Sequence, residues 1–514
     1  MNTGSTSNSS DINFGRQRIL VDYTEVTSQN VIEILEAAEK IHEENASDCD
    51  YLINYFLGEQ DILNREASST SNINNKVVVN YALPITREIV GYTLGSPVEF
   101  VARNDKQAEV QIINDSYDYE SMNTTDLCAA IYASICGVGY YITLPSTEIT
   151  KDNTPEVPLI VDYLDPRNTF VVQSNVIGTP QLMSCTIIET EDITYHICYT
   201  DTNRFIVENM EKVTTESNPI GKDPITMLEN SLFLTGDWEQ AISVMNATNL
   251  VTSDSLNDIE GIIRALLVIT GTEFEEGKED ESLSNIKSNR LLTLVSPGGS
   301  NVDAKFIAPQ LDSVSVQNVR EYLDEARNII TGIPDRENNG NGGDTGTAVL
   351  NRNGWTDIEI VARFKEMFIK KARKRQLEVG LEILKRLNLV GDDMRVLDVD
   401  ITIGRHTTDN LSTKATAFST LVATGELATI DALELSGLTT RTAEVVERGK
   451  REKEERAQMA AGQTNTDPNT GDTNTASTPG SKPVENNTAG SNKPAANNKP
   501  AANNKPATGN KPSI

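Results

Sequence analysis

The sequence predicts an α+β protein built from several domains, and three features of its 514 residues support that prediction. Short β-rich segments separated by turn signals alternate with a helix between residues 117 and 210. Two one-sided amphipathic helices, near 246–270 and 311–331, flank an insert that contains a strand. Apolar residues then recur at helical spacing over 347–387, which predicts a longer helix. Long helices beside short β-rich runs are typical of α+β folds.

Composition limits the classes of function. The chain carries 75 acidic against 45 basic residues, a formal net charge of −30, and only 5% aromatic residues. Tight wrapping of nucleic acid needs lysine and arginine to displace phosphate counterions, so we expect a chain that can surround DNA without gripping it. The five cysteines are an odd number with no C-x-x-C pair, which favours reduced, buried thiols over disulfides or a zinc site.

Targeting and membrane segments are not expected. Residues 1–10 lack the basic and apolar regions of a signal peptide. No apolar run approaches the ~18 residues of a membrane span, and the most apolar helix, over 259–269, carries Glu260 and Arg264. We therefore expect a soluble, cytoplasmic protein that does not meet a membrane.

Periodicity places the elements of the first half in order. Residues 1–13 are rich in Ser, Asn and Thr and are expected to be disordered. Apolar residues at helical spacing predict helices over 28–44, with Ser28 as the N-cap, and over 49–64, 85–92 and 123–136. A Gly-Ser-Pro turn leads into a strand that ends at Phe100. Further β-rich runs cover 140–144, 159–163, 169–172, 185–189 and 194–199, and helical spacing returns around 238–245.

Helices dominate the second half. The two amphipathic helices are defined by apolar residues three and four positions apart, at Leu256, Ile259, Ile263 and Leu266 and at Val316, Val319, Leu323, Ala326 and Ile330. A strand is predicted between them over 290–295, and Pro334 ends the second helix. A strand over 396–403, a helical region over 411–422 and a charged helix over 439–457 come after the long helix. From Gly462 the Asn-, Thr- and Pro-rich chain, with its Asn-Lys-Pro-Ala-Ala-Asn repeat, lacks the apolar surface to fold.

Enzyme motifs are not found. There is no G-x-x-x-x-G-K-[ST] phosphate loop, because Gly221-Lys222 is followed by an aspartate. The three histidines, His42, His196 and His406, show no metal-ligand spacing and are expected to be surface or structural residues. The carboxylates are too numerous for a catalytic pair to stand out. We expect no catalytic residue, no metal, no cofactor and no enzymatic activity.

Two polar segments stand out as candidate functional segments. The first is acidic and contains Glu273, Glu275, Glu276, Glu279, Asp280 and Glu281, which cannot be buried together without a severe desolvation cost. It either faces a partner or is a solvated loop. The second is built from Gly, Asn, Asp and Thr: Asn338, Asn339, Gly340, Asn341, Gly342, Gly343, Asp344, Thr345 and Gly346. Because it has no lysine it is a poor phosphate cradle, and we expect a solvated or mobile loop between two rigid helices.

A basic run on the predicted long helix is the exception in this acidic chain. It contains Lys365, Lys370, Lys371, Arg373, Lys374 and Arg375. Its functional interpretation is a positive belt near DNA or a face that forms salt bridges with another subunit. The alternative, which we favour at this stage, is the solvated side of a long helix.

Four segments in order along the chain resemble the portal proteins of tailed bacteriophages. Residues 55–63 (YFLGEQDIL) and 90–98 (VGYTLGSPV) are similar to motifs of the family's wing domain, and 421–446 is similar to its crown segment. Residues 329–350, which end in TGTAVL, resemble the segment where a stem helix ends, a tunnel loop enters the channel and a long helix begins. The resemblance covers about residues 30–455. Departures are the missing Asn-Pro at 404–407 and the presence of Asn353 and Trp355 where the family often has a Lys/Tyr-rich run.

The resemblance implies a domain order. It comprises a disordered N-terminus (1–13), a mixed wing domain (14–245), a first stem helix (246–270), a small α/β clip (271–310), a second stem helix (311–333), a tunnel loop (334–346), a long helix with the return of the wing (347–405), a helical crown (406–459) and a disordered low-complexity tail (460–514). The implied fold class is a multi-domain α+β portal fold in a homo-oligomeric ring, usually of twelve subunits.

The resemblance also implies a function. Rings of this family form a channel at one capsid vertex, through which the terminase motor packages double-stranded DNA and through which the DNA is later ejected, without sequence specificity. The implied partners are the terminase large subunit, a head-completion or neck adaptor protein, and the major capsid and scaffold proteins. The implied location is the virion, and the host cytoplasm during assembly. An acidic channel would repel phosphates and let DNA slide.

Two other classes of function stay open at this stage. One is a structural adaptor or capsid-associated scaffold protein without a channel. The other is an enzyme, such as a nuclease fused to the portal, which the lack of metal-ligand clusters in the sequence disfavours.

Overall fold

The computed structural model describes residues 13–67, 73–103, 106–119, 121–146, 157–263, 266–270, 291–292, 303–307, 313–334, 355–404, 411–425, 427–436, 438, 445–446, 448–454 and 456. Residues Met1–Arg448 form one compact unit and Gly449–Ile514 a second. In the second unit, residues 449–454 are helical. The elements described below belong to the first unit, which mixes helices and sheets as the sequence predicts.

The helices of the described residues follow the apolar periods of the sequence. They are α1 (Val31–Leu57), α2 (Ala82–Thr93), α3 (Gln107–Tyr119), α4 (Met122–Cys136), α5 (Ile242–Ile263), α6 (Ser313–Thr331), α7 (Trp355–Arg386), α8 (Leu411–Ala423) and α9 (Thr429–Ser436). Short 3₁₀ turns lie at Asp61–Asn64, Glu239–Ala241 and Val396–Asp398. The predicted start of the long helix, 347–354, and the predicted tail lie outside the described residues.

Helix α1 corrects the prediction of two separate helices over 28–44 and 49–64. It is continuous, because its polar middle contacts the N-terminal segment instead of forming a loop: the Asn45 side chain bonds both backbone groups of Gln17, and the Asp48 carboxylate accepts the Asn13 N–H. The residue before the helix is Asn30 and not Ser28. The helix ends at Gly58, whose φ of 103° is one that glycine adopts without strain.

The strands of the described residues form four sheets. They are β1 (Ile19–Val21), β2 (Val98–Ala102), β3 (Val138–Pro145), β4 (Leu159–Leu164), β5 (Thr169–Ser174), β6 (Gln181–Glu189), β7 (Thr194–Tyr199), β8 (Asn203–Glu208), β9 (Lys212–Ser217), β10 (Ile225–Glu229), β11 (Leu266–Thr270), β12 (Leu291–Leu292), β13 (Asp303–Ile307) and β14 (Val399–Ile403). The sheet orders are β1-β5-β6-β7-β8-β9, β10-β3-β4, β12-β11-β13 and β14-β2.

The six-stranded sheet is covered on one face by the first half of α1. Strands β5 to β9 form an antiparallel meander, and β1 adds to β5 in parallel. Alternate residues such as Phe170, Phe205 and Val207 point inward and pack against Ile34 and Leu35 of α1. Strands β8, β9 and β10 were not predicted from the sequence.

The three-stranded sheet β10-β3-β4 lies at the centre of the molecule, with apolar packing on both faces. Tyr141 of β3 enters the large core that α3, α4 and α7 share, whereas Val138 and Tyr140 face Val171 of the six-stranded sheet. Helix α7 packs mainly over β10, and α4 packs over β3 and β4. The antiparallel pair β14-β2 joins residues 399–403 to this core.

A third core joins the second half of α1 to α2, α4 and the start of α5. Trp238 is fully buried there, stacks on Tyr55 and donates its indole N–H to the Thr86 hydroxyl at 3.0 Å. Burying so large a side chain with its one donor satisfied stabilises the point where α5 leaves the core. The base of α5 is therefore rigidly placed.

Candidate functional site

Helices α5 and α6 form a pair that begins at the core and is joined through a small sheet. The two helices pack against each other, and at 1.5 Å per residue they span about 33 and about 28 Å. Between them, β11 pairs in parallel with β12 and antiparallel with β13. These described pieces correspond to the helix pair and strand-containing insert that the sequence predicts.

The first predicted stem helix ends earlier in the structure than in the prediction. The prediction extended it to residue 270, but α5 ends at Ile263 and Leu266–Thr270 is strand β11. The apolar stripe that reaches Leu266 continues into a run of branched residues, which favour a pleated strand over a helix. Helix α6 runs over Ser313–Thr331, inside the predicted 311–333.

Hydrogen bonds hold the base of α5. Tyr55 of α1 donates its hydroxyl proton to Asn246 at 2.9 Å, and Asn246 donates to Asp61 at 2.8 Å. One turn further, Asn249 is fully buried and donates to the Gln60 side chain at 2.5 Å. Burial raises the pKa of Tyr55, so this hydroxyl stays a proton donor throughout the physiological range.

An extended segment, 73–81, lies along α5 and is bonded to it by a regular ladder. The backbone N–H groups of Asn75, Val77 and Val79 donate to the side chains of Asn257, Ser253 and Asn249, at 2.7, 3.0 and 2.7 Å. Two extended residues advance about 6.6 Å and four helical residues about 6.0 Å, so the two repeats match over the two steps that separate these three hydrogen bonds. We call 73–81 the strap.

The strap was not predicted from the sequence, although one signal for it was present. Asn249, Ser253 and Asn257 recur every four residues and therefore share one face of α5. A line of short polar side chains on one helix face can serve as acceptors for a neighbouring backbone. At the α6 side, the Arg327 guanidinium lies 3.6 Å from the centre of the Tyr81 ring, so the strap also contacts the second helix.

Helix α6 has apolar residues that a single chain does not cover. Of the predicted stripe, Val316 and Leu323 are half-buried while Val319 and Ile330 are exposed. Tyr322 and Ile329 are more exposed still. Such a line of uncovered residues is typical of a helix that contacts another molecule.

The two polar candidate segments lie outside the described residues. These are the acidic segment with Glu273, Glu275, Glu276, Glu279, Asp280 and Glu281, and the Gly/Asn segment 338–346. Of the predicted clip (271–310), the structure describes β12 and β13. Of the predicted tunnel loop (334–346), it describes residue 334.

The basic run on α7 is divided between different environments. Lys371 and Lys374 are exposed, and Lys371 pairs with Glu229 at 2.7 Å. Lys370 pairs with Glu366 one turn earlier on the helix, and Arg375 with Glu378. Lys365 is buried and pairs with Asp237 at 2.8 Å. The run is therefore not one continuous solvated face.

Arg373 itself lies on none of the surfaces expected for the run. Its side chain is 1% exposed, its guanidinium pairs with the buried Asp126, and it lies 4.9 Å from the centre of the Tyr141 ring. Tyr141 also donates its hydroxyl proton to Asp126 at 3.1 Å. Desolvation lowers the pKa of Arg373 to about 10, which still leaves it charged at neutral pH. It stabilises the core and belongs to no belt.

The described residues show where the metal-ligand types of side chain lie. No cluster of three or more His, Cys, Asp or Glu is arranged to hold a metal there. His42 and His196 are buried; the first contacts the Arg167 carbonyl and the second Glu39. The five cysteines have free thiols, and all but Cys128 are buried. Among the described helices none is both long and apolar enough to cross a membrane.

Solved structures with a similar fold come from gene transfer agent (GTA) particles. "Neck of empty GTA particle computed with C6 symmetry" shares 11% identity at a TM-score of 0.44 and covers 76% of this chain and 94% of that chain. "Virion of native gene transfer agent (GTA) particle" shares 10% identity at a TM-score of 0.43, with the same coverage. "Neck of native GTA particle computed with C12 symmetry" shares 10% at 0.40, over 69% of this chain and 89% of that chain. No curated protein matches the sequence.

One protein-family model matches most of the chain. It is described as phage portal protein, SPP1 Gp6-like, and it matches residues 35–459. This range includes α5, β11, β13, α6 and α7, and it stops where the predicted low-complexity tail begins. The match confirms the family to which the sequence motifs pointed: the chain belongs to the SPP1 Gp6-like family of phage portal proteins.

Proposed function

We propose that this chain is the subunit of a portal ring, which forms the channel at one capsid vertex for packaging and ejection of double-stranded DNA. The observation that carries the proposal is the helix pair α5–α6, joined through its own small sheet, in a chain of the portal family. In a ring, such pairs from successive subunits would form the wall of the channel. The net charge of −30 favours passage of DNA over retention, because phosphates are not held by an acidic surface.

The small sheet is the proposed docking end of the subunit. It lies in the chain between the two stem helices, and the acidic segment with Glu273, Glu275, Glu276, Glu279, Asp280 and Glu281 belongs to the same insert in sequence. We propose that this end binds the terminase large subunit during packaging and a neck adaptor afterwards. The α+β part of the chain would contact the capsid and scaffold proteins.

Imaging of the purified full-length chain tests the proposal. We expect negative-stain images to show rings with a central hole, and native mass measurement to give a whole multiple of 56.3 kDa, twelvefold in the simplest case. A non-channel adaptor or scaffold protein would give monomers, or oligomers without a hole. That outcome, at protein concentrations well above those in a capsid assembly reaction, would contradict the channel function.

A further inference from the structure

Helix α7 has a second apolar face besides the one that enters the core. Ile358, Ala362 and Ile369 are buried. On another side of the helix, Ile360, Phe364 and Met367 recur at i, i+4 and i+7 and are between 48% and 67% exposed. Large apolar residues that line up in this way and remain exposed mark a contact surface.

This face continues onto the loop after β10. Lys371, one turn beyond Met367, pairs with Glu229, which also pairs with Arg18 at 2.7 Å. Arg18 in turn donates to the carbonyl oxygen of Leu232 at 3.4 Å. This chain of contacts links the exposed Leu232 to Lys371 of α7 through Glu229 and Arg18.

Two phenylalanines extend the same surface. Phe233 follows Leu232 and is 74% exposed. Gly15 packs so closely on Phe233 that an added Cβ atom would lie 2.3 Å from the Phe233 carbonyl oxygen, and the residue before it, Phe14, is 62% exposed. We define the α7 face by the exposed apolar residues Phe14, Leu232, Phe233, Ile360, Phe364 and Met367.

Cations border the α7 face. Arg363 and Lys371 are about 70% exposed at their side chains, and Lys374 is exposed one turn further along the helix. Their ion-pair partners Glu229 and Glu359 are mostly buried. The exposed carboxylates nearby are Asp357 on α7 and Asp400, which lies near Lys374 and pairs with Arg103. With Asp400 already paired, the exposed charge beside the face is net positive. In a chain with a net charge of −30 such a surface is unusual.

A second uncovered face lies at the opposite edge of the same sheet. In the order β10-β3-β4, strand β10 carries Glu229 at one edge and β4 carries Tyr163 at the other. Tyr163 of β4, Leu127 of α4 and Tyr119 at the end of α3 are exposed, and these three elements pack on one another. We call this surface the β4 face.

Unpaired carboxylates accompany the β4 face. Asp118 and Asp162 are exposed next to Tyr119 and Tyr163. The structure gives neither of them a cationic partner within the described ranges. The β4 face therefore combines aromatic surface with negative charge, whereas the α7 face combines apolar surface with positive charge.

We propose that the α7 face of one subunit docks on the β4 face of a second copy of this chain. The two faces are complementary in charge and both have exposed apolar residues, and they lie at opposite edges of one sheet. A contact between different faces of identical chains repeats with the same rotation, and it builds a ring when that rotation closes. The inference rests on the proposed ring, and it assigns Lys371 and Lys374 to the subunit interface and not to DNA.

Zero-length crosslinking of the full-length chain tests the assignment directly. A carbodiimide joins lysine amines to carboxylates in contact, and a mixture of ¹⁴N- and ¹⁵N-labelled subunits distinguishes links between chains. We expect Lys371 or Lys374 to be linked to Asp118 or Asp162 of another chain. The link from Lys371 to Glu229 within one chain is the internal control. Inter-chain links from these lysines only to other surfaces would overturn the proposal.

Substitutions provide a second, independent test. Phe364→Asp with Phe233→Asp places charges in the α7 face, and light scattering should show the mass falling from ring to monomer. Ile177→Asp is the matched control, because Ile177 is fully exposed at the β5–β6 turn, outside both faces; its rings should persist. On the other face, Asp162→Lys should also dissociate the ring. Since all of these positions are exposed, the variants should keep the wild-type far-UV spectrum and a cooperative thermal transition.

The outcomes separate this inference from the proposed function. Intact rings from both the α7-face and the Asp162→Lys variants would contradict the interface while leaving the ring itself in place. A wild-type chain that stays monomeric at every concentration would contradict the ring and the interface together.

Discussion

At the scale of single residues, the protonation of the buried His42 side chain is coupled to folding. It lies between α1 and the six-stranded sheet, 2.9 Å from the carbonyl oxygen of Arg167 and against the Phe170 ring. Burial lowers the pKa of His42 to about 4. The unfolded chain, with a pKa of about 6.5, therefore binds a proton in a pH range where the native chain does not.

The sign of the pH effect follows from that difference. The contribution of His42 to stability is fully present above pH 6.5 and is lost as the pH falls towards 4, by about 3 kcal/mol in all. His42→Gln keeps an N–H donor for the Arg167 carbonyl but cannot be protonated. We expect the difference in free energy of unfolding between wild type and variant to shrink or reverse as the pH falls from 7 to 4.5, measured by urea denaturation. A difference that does not change with pH would show that His42 has the same pKa in the native and the unfolded chain, and would contradict the effect of burial.

Arg373 gives a second prediction at this scale. Replacing it by methionine leaves Asp126 buried without its cation, which we expect to cost about 3–5 kcal/mol of unfolding free energy. Adding Asp126→Asn should recover part of the loss, because the uncompensated charge is then gone. Lys40→Met, at an exposed position of α1 outside both docking faces, should change stability by less than about 0.5 kcal/mol. Equal, small effects of both substitutions in urea denaturation would contradict the buried ion pair.

The same residue shows what the sequence does not specify. Lys365 to Arg375 contains six cations, and helical periodicity alone cannot tell which of them lies on a solvated face. Arg373 is buried because Asp126 and Tyr141, more than 230 positions earlier, provide a counter-charge and a ring face. Partners that are distant in sequence are not visible in a local pattern.

At the scale of elements, the sequence predicts most helices and the strands β2 to β7, and its errors have local causes. Asn45 and Asp48 interrupt the apolar period of α1, yet they are contact residues for 13–17 within one helix. Leu266 fits the stripe of α5 and lies in a strand. Family, fold class and the helix pair were predicted correctly from the sequence and its motifs. The ladder between the strap and α5 was not predicted, because its donors are backbone groups and only the acceptors on α5 form a pattern in the sequence.

The strap yields a prediction at the element scale. Ser253→Ala removes the acceptor of the Val77 N–H, and an unpaired buried N–H costs about 1–3 kcal/mol. We expect hydrogen exchange at Val77 and Val79 to accelerate by about tenfold or more as the strap opens locally. Ser255→Ala is the matched control, because the Ser255 hydroxyl bonds only to the Val251 carbonyl within α5. Unchanged exchange in Ser253→Ala would mean that the ladder does not hold the strap.

At the scale of the whole molecule, the α+β core positions the helix pair, and the two proposed docking faces position the neighbouring subunit. The α+β core holds the base of α5 through Tyr55, Gln60 and the strap, so the helix pair is set at a fixed place relative to the sheets. The α7 and β4 faces then fix how the next copy is placed. An acidic chain built in this way needs no cationic clamp for DNA, which suits a channel that transports any sequence in both directions.

In the proposed ring, the segment between α6 and α7 would contact the DNA that passes through the channel. Residues 338–346 are built from Gly, Asn, Asp and Thr with the single charge of Asp344, so a ring of them would repel phosphate weakly and would not bind it. Deleting Gly340–Gly343 removes neither stem helix nor either docking face, so rings should form with unchanged mass. We expect the packaged DNA per particle to fall when the variant is assembled into phage, measured by nuclease-protected DNA. Deleting residues 495–498 (Ala-Ala-Asn-Asn), which lie in the tail that is not expected to fold, is the matched control and should leave both ring and packaging unchanged. Normal packaging with the Gly340–Gly343 deletion would reduce the segment to a linker and would argue against a channel at this place.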